Sequence, residues 1–544
     1  MKKITLFFCV MCLLATTCFA QKDVVGKPYS FNHTVSMNID KVDLPALDVQ
    51  ALETEDALKT AKDGTPMRVG VSQTLGYNFN NSGRMEILSD GSRLWRLSVK
   101  SKDAIMLTAY FTKFNIPEGA TFHIYSGDYK QLTGTYTNSD VQQNGYLVSE
   151  DIMGDEMIFE YYEPATALYH GVIELASVSH IYRDFMNIMS SKGHWGQAEG
   201  TCHYDVICSE GDPWRTQIRS VVCIRTHCPS DGGDYMCSGA MINNVRRDKT
   251  PYVYSADHCL NNDNNSTFKF YFEYEALTCG GTSGYFNRVA NGGVIRAHDK
   301  LTTSSDFLLL EITGDINPNY ANNIVFAGWD ANGAASAGAG VHHPGGDFKK
   351  ISFPQSVSSS GKYWRVSWYT NPNRGCTEQG SSGSPLFNAS GLIIGSLSNG
   401  SSACDYPSGK DNYGKLSEAW LNSNNSSNAK KMQPWLDPDN TGTKVLTGMN
   451  YDGSEATGVE THSSVLNFNI APNPTAGNVT ITGSFGFEDG VCNIYDAMGR
   501  LVNSSNVTLS PSFTMNLNDL NNGVYFMEIF SNNNVYKSKV VIAR

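Results

Sequence analysis

The chain of 544 residues lacks the features that mark several large classes of protein. Positive charge is not in excess: 41 Lys and Arg face 53 Asp and Glu, and a net charge of −12 argues against a general nucleic-acid binder. No apolar run reaches the roughly 20 residues that a membrane-spanning helix needs. Thirteen cysteines over this length are too few for a small disulfide scaffold. The remaining composition is that of a globular protein with roughly three or four domains.

The first twenty residues have the pattern of a secretory signal peptide. Lys2 and Lys3 precede the apolar run Ile4–Ala15, and the small residues that follow predict cleavage after Ala20. A lipid anchor at Cys18 is a weaker alternative. Three of the thirteen cysteines leave with this segment, and the others enter an oxidising compartment where disulfides are the default.

Alternating apolar and polar residues predict an all-β chain of several modules. The pattern is clear in Trp95, Leu97 and Val99, which belong to a predicted β-sandwich. The predicted divisions are a signal peptide (1–20), a sandwich-bearing region (21–192), a second β-rich region (193–448), a linker rich in Gly, Ser, Thr and Glu (449–464) and a third β module (465–544).

Three short stretches of the second region carry the side chains of serine-based acyl transfer. They are Tyr254–Cys259 with His258, Ser304–Asp306 and Gly380–Pro385 with Ser382. In this chemistry a hydroxyl attacks, an imidazole takes its proton and a carboxylate orients the imidazole. Glycines beside the nucleophile let backbone N–H groups face the developing oxyanion. Each stretch alone is a weak signal, but together in a β-rich segment they indicate a catalytic triad.

The order His258, Asp306, Ser382 selects one fold among the serine hydrolases. α/β-Hydrolases run Ser, Asp, His and subtilisins run Asp, His, Ser, whereas the double β-barrel of chymotrypsin runs His, Asp, Ser. Cys237 and Cys259 also fit the disulfide that flanks the histidine in that fold. Metal ligation by His258, Cys259 and Cys208 is the disfavoured alternative in an exported protein, so we expect neither a metal nor a cofactor.

From residue 202 to residue 448 the chain resembles the bacterial lysyl endopeptidases, a branch of the chymotrypsin-like serine proteases. The resemblance rests on Cys202–Cys208, Gly239–Asn244, the His258 motif, Asp306–Leu309, Ala327–Asp330, His342–Pro344, Gly380–Pro385 and Trp435–Pro438. One departure is Asp257, which places a charge beside the histidine where Ala or His is commoner.

The resemblance implies a role for each matching residue. Ser382 is the nucleophile, His258 the general base and then acid, and Asp306 the orienting carboxylate. The backbone N–H groups of Gly380 and Ser382 form the oxyanion hole. Ser396 falls where these enzymes place a serine near the buried carboxylate, and it is a predicted substrate-binding residue.

Specificity requires a different carboxylate from that of trypsin, because Cys376 stands six residues before the nucleophile, where trypsin has its pocket aspartate. Asp411 lies where lysyl endopeptidases carry theirs, and a buried carboxylate selects a cationic side chain. Asp405 is a weaker candidate, and the alternative is that Asp411 is an ordinary loop residue. The preference for lysine over arginine comes from the resemblance alone.

The resemblance also implies a set of disulfide pairings. The expected bridges besides Cys237–Cys259 are Cys202–Cys404 and Cys208–Cys279. Cys223 and Cys228 can close a small loop, Cys376 can compete for Cys404, and Cys492 is left over.

Trypsin zymogens mature when a new amino terminus pairs with an aspartate before the nucleophile, but that residue is Ser381 here, so this switch is missing. Residues 21–192 are then a pro-region removed by self-cleavage after Lys192, or alternatively a permanent binding module.

The last 80 residues resemble the C-terminal sorting domain of the type IX secretion system. The matching pieces are Ala471–Thr475, Ile494–Arg500, Leu520–Tyr525 and Lys537–Lys539. An immunoglobulin-like adhesion module is the alternative. Sorting implies export across both membranes and makes the type IX machinery a partner.

Together these features predict a secreted or cell-surface serine endopeptidase that cleaves proteins and peptides after lysine. No nucleic-acid partner and no transmembrane segment are expected. The alternatives are a protease that accepts both Arg and Lys, and an inactive surface-binding protein built from β modules.

Overall fold

The computed structural model describes residues 26–544 except 37, 60–64, 142–144, 185–201, 334–335, 337, 370–374, 405, 407, 422–425, 457–465, 484–487, 497–500, 511 and 532–533. The predicted signal peptide, the cleavage site at Lys192 and the candidate Asp405 lie outside the described residues. The chain divides into two compact units, Met1–Val459 and Glu460–Arg544.

The N-terminal part of the first unit is a β-sandwich. Its strands are β1 (Asp40–Asp43), β2 (Met67–Asn78), β3 (Arg84–Ile87), β4 (Arg93–Lys100), β5 (Met106–Asn115), β6 (Thr121–Ser126), β7 (Leu147–Val148), β8 (Ile152–Met153), β9 (Glu156–Glu163) and β10 (Val172–Ile181), with helices α1 (Tyr29–Asn32) and α2 (Val49–Ala57) and a 3-10 turn, Asn138–Asp140. One sheet has the order β1-β4-β9-β6 with β3 beside β4, and the other joins β2, β10 and β5, with β7 and β8 beside β5.

The alternation seen in the sequence places side chains in the core of this sandwich. Trp95, Leu97 and Val99 on β4 are all buried and belong to one apolar cluster, and Leu97 pairs with Phe159 of β9. The cluster also takes in side chains of the second sheet, such as Phe111. The predicted sandwich is confirmed, since both sheets contribute side chains to a common core.

The rest of the first unit contains two further groups of strands. They are β11 (Tyr204–Asp205), β12 (Val221–Cys228), β13 (Gly233–Met241), β14 (Tyr252–Ser255), β15 (Thr267–Tyr271), β16 (Val289–Asn291), β17 (Gly293–Asp299), β18 (Phe307–Ile312), β19 (Val325–Phe326), β20 (Trp329–Asp330), β21 (Ala339–His342), β22 (Lys350–Ser352), β23 (Pro354–Ser360), β24 (Tyr363–Trp368), β25 (Pro385–Phe387), β26 (Ile393–Gly400), β27 (Lys410–Lys415), β28 (Val445–Leu446), β29 (Gly448–Asn450) and β30 (Glu455–Ala456). Short helices connect them: α3 (Arg215–Ile218), α4 (Pro318–Ala321), α5 (Leu416–Leu421), α6 (Gln433–Leu436) and the 3-10 turns Ser209–Trp214, Asp257–Leu260, Pro344–Gly346 and Asn428–Lys430.

The two groups form the two barrels of a chymotrypsin-like fold. The first barrel runs β16-β15-β12-β13-β14-β18-β17, and the second runs β11-β22-β21-β25-β26-β27-β24-β23. Each barrel has its own apolar cluster, and a third cluster combines residues of both, including Tyr254 and Phe307 from the first barrel and Trp329 and Phe387 from the second. The all-β, double-barrel prediction is confirmed, and the third cluster holds the barrels against each other.

The N-terminal sandwich shares a sheet with the first barrel, because β2 pairs with β10 on one side and β13 on the other. A buried ion network crosses the same junction. Asp151 of the sandwich accepts hydrogen bonds from Arg225 (2.7 Å) and Lys269 (2.8 Å) of the barrel. Burial alone would raise the pKa of Asp151, but these two cations outweigh it and hold the pKa well below its ordinary value. The sandwich and the barrel therefore pack against each other, with buried ion pairs across their junction.

The beginning of the predicted linker is structured. Residues 449–456 include most of β29 and all of β30, which pair with each other, and β29 also pairs with β19 near the first barrel. The expectation of a linker from residue 449 is corrected for this part, because composition does not reveal that a polar segment adds strands to a sheet. Residues 457–464 lie among those not described.

Glu460–Arg544 forms a separate β-sandwich. Its strands are β31 (Leu466–Asn467), β32 (Asn469–Ala471), β33 (Asn478–Thr482), β34 (Glu488–Asp496), β35 (Leu501–Leu509), β36 (Ser512–Asn516), β37 (Gly523–Ser531) and β38 (Asn534–Ile542). One sheet is ordered β31-β38-β37-β34-β35 and the other β32-β33-β36, with an apolar core that includes Cys492. No helix among the described residues is both long and apolar enough to cross a membrane.

The three disulfides of the described chain are Cys202–Cys404, Cys208–Cys279 and Cys237–Cys259, as expected. The suggested loop between Cys223 and Cys228 is wrong, since both are buried thiols near opposite ends of the extended strand β12. Five residues of strand span about 16 Å, far beyond the reach of a disulfide. Cys376 Sγ lies 3.6 Å from Cys202 Sγ and 4.0 Å from Cys404 Sγ, so it adjoins the bridge it was expected to compete for.

Candidate active site

His258 and Asp306 meet because their strands are neighbours. His258 lies in the 3-10 turn after β14, Asp306 directly precedes β18, and these two strands pair. His258 Nδ1 lies 2.8 Å from Asp306 Oδ2, and the backbone N–H of His258 donates to Oδ1 at 3.0 Å. Two bonds to one carboxylate hold both the turn and the ring, and they set the tautomer that leaves Nε2 to receive a proton.

The electrostatics of this pair suit a general base. Burial alone would lower the pKa of His258, but the charge and hydrogen bond of Asp306 outweigh it, so the pKa lies above its ordinary value. Nε2 of His258 is buried and has no hydrogen-bond partner among the described residues. That nitrogen is available to a serine hydroxyl.

Ser398, two residues after the predicted Ser396, donates a hydrogen bond to the Asp306 carboxylate. Ser398 Oγ donates to Asp306 Oδ2 at 2.6 Å, whereas Ser396 is buried two residues earlier on the same strand. The pairing of β26 with β27 shifts register between Leu397 and Asn399, so Ser398 has no register partner. A bulge of this kind re-aims a side chain, and it is not readable from sequence alternation.

The loop of the predicted nucleophile Ser382 lies directly against the histidine turn. Gly383 follows Ser382 with a φ of 80°, and a Cβ built on it would lie 2.1 Å from Ser255 Oγ and 3.0 Å from the backbone nitrogen of Ala256. The carbonyl of Ser382 accepts a hydrogen bond of 2.7 Å from the N–H of Ser238. Glycine at position 383 therefore allows the second barrel to bring Ser382 next to the His258 turn.

The predicted oxyanion donors are uncommitted in the described chain. Within the described residues the N–H groups of Gly380 and Ser382 donate no hydrogen bond, while those of Ser381, Gly383 and Ser384 all donate to carbonyls. Gly380 has a φ of 87°, and a Cβ there would lie 2.7 Å from the carbonyl oxygen of His343. Two free amides beside a nucleophile are what a developing oxyanion requires.

Asp411 is fully buried beside the strand that carries Ser398. Its Oδ2 accepts hydrogen bonds from Trp368 Nε1 (2.6 Å), from Thr377 Oγ1 (2.7 Å) and from the Ser402 hydroxyl, and its Oδ1 accepts from the Ser402 N–H at 3.1 Å. Burial raises the pKa of Asp411 although these neutral donors oppose the rise. No Lys, Arg or His of the described chain forms an ion pair with it. Gly400 lies against it, and a Cβ there would be 1.9 Å from Oδ1.

Next to His258, Asp257 forms a second carboxylate–histidine pair. Its Oδ1 lies 2.5 Å from Nδ1 of His298 on β17, and the carboxylate is buried. The charge of Asp257 adds to that of Asp306 in raising the pKa of His258. The departure from the family pattern thus brings a charge into the site and anchors it to a neighbouring strand.

Sequence reasoning missed Ser238, Ser398 and His298. Ser238 had a usable signal, because it directly follows the disulfide cysteine Cys237 in a segment already assigned to the resemblance. His298 had none, since its contact with Asp257 depends on how two elements pack. The metal alternative is not assembled among the described residues, because both of its cysteines are in disulfides with other partners.

Comparison with known families covers most of the described chain. The family model of the lysyl endopeptidase N-terminal domain matches residues 43–182, and that of the C-terminal domain matches residues 196–414. Together they span more than half of the 544 residues. The model of the secretion-system C-terminal sorting domain matches residues 469–543.

Individual proteins and solved structures are also similar to this chain. A lysyl endopeptidase of Pseudomonas aeruginosa is 27% identical over 379 residues, which cover 64% of this chain and 79% of that protein. Among solved structures, the Rv3671c protease of M. tuberculosis in its active form is 17% identical, with a TM-score of 0.27, over 39% of this chain and 82% of that one. Human heparin binding protein is 16% identical, with a TM-score of 0.28, over 39% of this chain and 94% of that one. TM-scores this low add nothing to the fold argued from the strands.

The raised pKa of His258 predicts a pH dependence. Catalysis needs the neutral imidazole, so kcat/KM should fall with decreasing pH through a midpoint above about 6.5, the ordinary value for histidine. Asp257→Asn keeps an acceptor for His298 but removes a negative charge, and should therefore move this midpoint to lower pH. The measurement is kcat/KM against pH for a small ester substrate.

Glu311→Gln is the matched control for this prediction. It removes the ion pair between Glu311 and Arg296 of β17, which is 2.7 Å long, without altering the Asp257–His298 pair. Its midpoint should equal that of the unmodified enzyme. An unshifted midpoint in Asp257→Asn would contradict the assigned influence of Asp257.

The two buried serines of β26 give a second prediction. Ser398→Ala removes a hydrogen bond to the Asp306 carboxylate and should lower kcat about tenfold, as expected for a bond to a charged group. Ser396→Ala removes a hydroxyl of the same size from the same strand and should change kcat little. Steady-state kinetics of both variants check this, and the reverse ranking would contradict the assigned support of Asp306 by Ser398.

Proposed function

Because the chain belongs to the lysyl endopeptidase family of serine endopeptidases and carries a secretion-system sorting domain, we propose that it is exported and cleaves proteins on the carboxyl side of lysine. The proposed triad is His258, Asp306 and Ser382. The uncompensated charge of Asp411 is the observation that carries the proposed specificity.

The proposed reaction is acyl transfer through Ser382. His258 Nε2 takes the hydroxyl proton as Ser382 attacks the scissile carbonyl, and Asp306 stabilises the imidazolium that forms. The N–H groups of Gly380 and Ser382 receive the oxyanion. His258 then protonates the leaving amine, and water hydrolyses the acyl-enzyme by the same steps in reverse.

Asp411 supports a cationic substrate because, in the part of the chain that the structure describes, neutral donors alone surround its charge. A carboxylate buried in this way is costly unless a cation joins it, and the cation of the substrate would do so. Its position also supports an assignment to the pocket. Thr377 lies five residues before Ser382, and Gly400 lies two residues after Ser398, so both walls beside the nucleophile contact this carboxylate.

The donors around Asp411 favour lysine over arginine. Oδ2 already accepts hydrogen bonds from three side chains, whereas Oδ1 accepts one and has room for another donor. A guanidinium binds best through two parallel hydrogen bonds to both oxygens, whereas an ammonium acts as a point charge and needs one. The site therefore suits the lysine side chain.

Contacts of the N-terminal sandwich support its assignment as a pro-region. Gln379, three residues before the nucleophile, donates from Nε2 to the carbonyl oxygen of Lys59 at 3.1 Å. A segment of the sandwich region thus reaches the nucleophile loop, where substrate would have to bind. Removal of residues 21–192 by self-cleavage after Lys192 would clear it.

Digestion of an unstructured protein tests the specificity. The secreted enzyme should cut after lysine, and Ser382→Ala should abolish every cut. Asp411→Asn keeps the size of the side chain and one acceptor oxygen but loses the charge, so kcat/KM for lysyl substrates should fall about a hundredfold or more. Mass spectrometry of the fragments and steady-state kinetics are the measurements.

Other outcomes of that digestion decide between the alternatives. Frequent cuts after arginine would contradict strict lysine specificity and favour a protease for both basic residues. A complete absence of cuts by the processed, folded enzyme would favour an inactive binding protein. Unchanged kinetics in Asp411→Asn would show that Asp411 does not bind the substrate side chain.

Self-processing is tested by the amino terminus of the secreted protein. N-terminal sequencing should find Gly193 in the active enzyme and an earlier start in Ser382→Ala, because that variant lacks the nucleophile. The same start site in both proteins would exclude self-cleavage. Retention of the sandwich in a fully active enzyme would instead favour a permanent binding module.

A further inference from the structure

The residue before the nucleophile raises the question of how the oxyanion hole is kept in shape. The ion pair that orders this region in trypsin is missing, because Ser381 has no charge to offer an amino terminus. Ser381 is nevertheless fully buried, and its hydroxyl lies 2.7 Å from His342 Nδ1. The same hydroxyl accepts a hydrogen bond of 3.2 Å from the N–H of Glu378.

The direction of each hydrogen bond around His342 follows from its neighbours. Ser352 Oγ donates to the carbonyl of Cys376 at 3.0 Å, so it accepts from His342 Nε2, which lies 2.8 Å away. With the proton on Nε2, Nδ1 is the acceptor and Ser381 the donor. The chain Ser381 to His342 to Ser352 is thus fully paired, and it anchors the residue next to the nucleophile without any charge.

The turn at Pro344–Gly346 fixes the direction of the Gly380 N–H, the first of the two proposed oxyanion donors. The N–H of Gly345 donates to the carbonyl oxygen of Gln379 at 2.7 Å. In a trans peptide the C=O and N–H point in opposite directions, so the N–H of Gly380 points away from this turn. In the same way, the N–H of Ser384 holds the carbonyl of Ser381 at 3.0 Å and turns the N–H of Ser382 away from itself.

Ser238 ties this turn to the nucleophile loop. Its hydroxyl donates to the carbonyl of Gly380 at 2.9 Å and accepts from the N–H of His343 at 2.9 Å. Its own N–H donates to the carbonyl of Ser382. One buried serine of the first barrel therefore contacts both residues whose amides would bind the oxyanion.

We propose that Ser238, His342 and Gly345 are positioning residues, which together with Ser381 form a neutral latch that keeps the oxyanion hole assembled in place of an activation ion pair. The proposal rests on the proposed function, since it concerns the same site. The latch makes release of a particular amino terminus unnecessary for shaping this loop, so cleavage of the N-terminal region only has to open access to it.

The state of His342 agrees with a neutral latch. Burial, and after it the nearby His203, His343 and Lys350, lower the pKa of His342 well below its ordinary value. The ring therefore stays neutral over the pH range in which His258 titrates, and the latch does not open as His258 is protonated.

Ser238→Ala and Ser381→Ala test the proposal in the enzyme secreted from the full chain. Each should lower kcat about three- to tenfold, with KM within about twofold, as expected when a neutral hydrogen bond that orders the oxyanion donors is lost. A peptidyl-lysine boronate, which places a tetrahedral oxyanion in the site, should bind more weakly by the same factor. Nα-Acetyl-lysine, whose planar carboxylate offers no tetrahedral oxyanion, should bind with unchanged affinity. Ser238→Thr keeps the hydroxyl and should restore the boronate affinity.

Ser220→Ala is the matched control, because Ser220 is equally buried and its hydroxyl donates to the backbone carbonyl of Gln217 at 2.7 Å, away from the nucleophile loop. Its kcat and boronate affinity should equal those of the unmodified enzyme. All rates are taken per titrated active site, so partial unfolding does not imitate the effect. Unchanged boronate affinity in both Ser238→Ala and Ser381→Ala, or the same loss in Ser220→Ala, would overturn the proposal. An unmodified enzyme without peptidase activity would instead refute the proposed function.

Discussion

The close approach of the nucleophile loop to the first barrel is the constraint on which the active site depends. His258 belongs to one barrel and Ser382 to the other, so their chemistry needs the two barrels held in one arrangement. Gly383 permits the contact because it has no side chain to collide with Ser255, and Ser238 stabilises it with a backbone hydrogen bond across the interface. The mixed apolar cluster beneath, with Trp329 among its members, resists sliding because interiors of this density tolerate little displacement.

Asp151 and Asp411 show two opposite ways in which the first unit accommodates a buried carboxylate. At the junction between sandwich and barrel, Asp151 is paired with Arg225 and Lys269, so its ionised form is favoured. Asp411 has hydrogen-bond donors but no cation beside it among the described residues, and burial raises its pKa. The first arrangement stabilises a fixed contact between protein segments. The second leaves a buried negative charge without a cation from the described chain, and a cationic substrate side chain can pair with it. Asp411 therefore bears on specificity.

Much of the fold and part of the site could be predicted from the sequence. Period-two alternation identified the sandwich strand with Trp95, and the order of His258, Asp306 and Ser382 identified the double barrel. The contact of Ser398 with Asp306 could not be predicted, because strand alternation assumes a regular ladder and a bulge sets the direction of this side chain. The polar segment from residue 449 failed as a linker because strand pairing, not composition, decides whether such residues join a sheet.

The sequence by itself determined which side chains are available for catalysis, since a hydroxyl, an imidazole and a carboxylate in that order are chemical facts of the chain. It also determined the alternation that makes the chain a β protein. Only the tertiary structure decided which serine supports Asp306, that Asp257 meets His298, and that Ser238 orders the nucleophile loop. Each of these contacts joins residues far apart in sequence, and such contacts arise from the packing of whole elements, which no local pattern records.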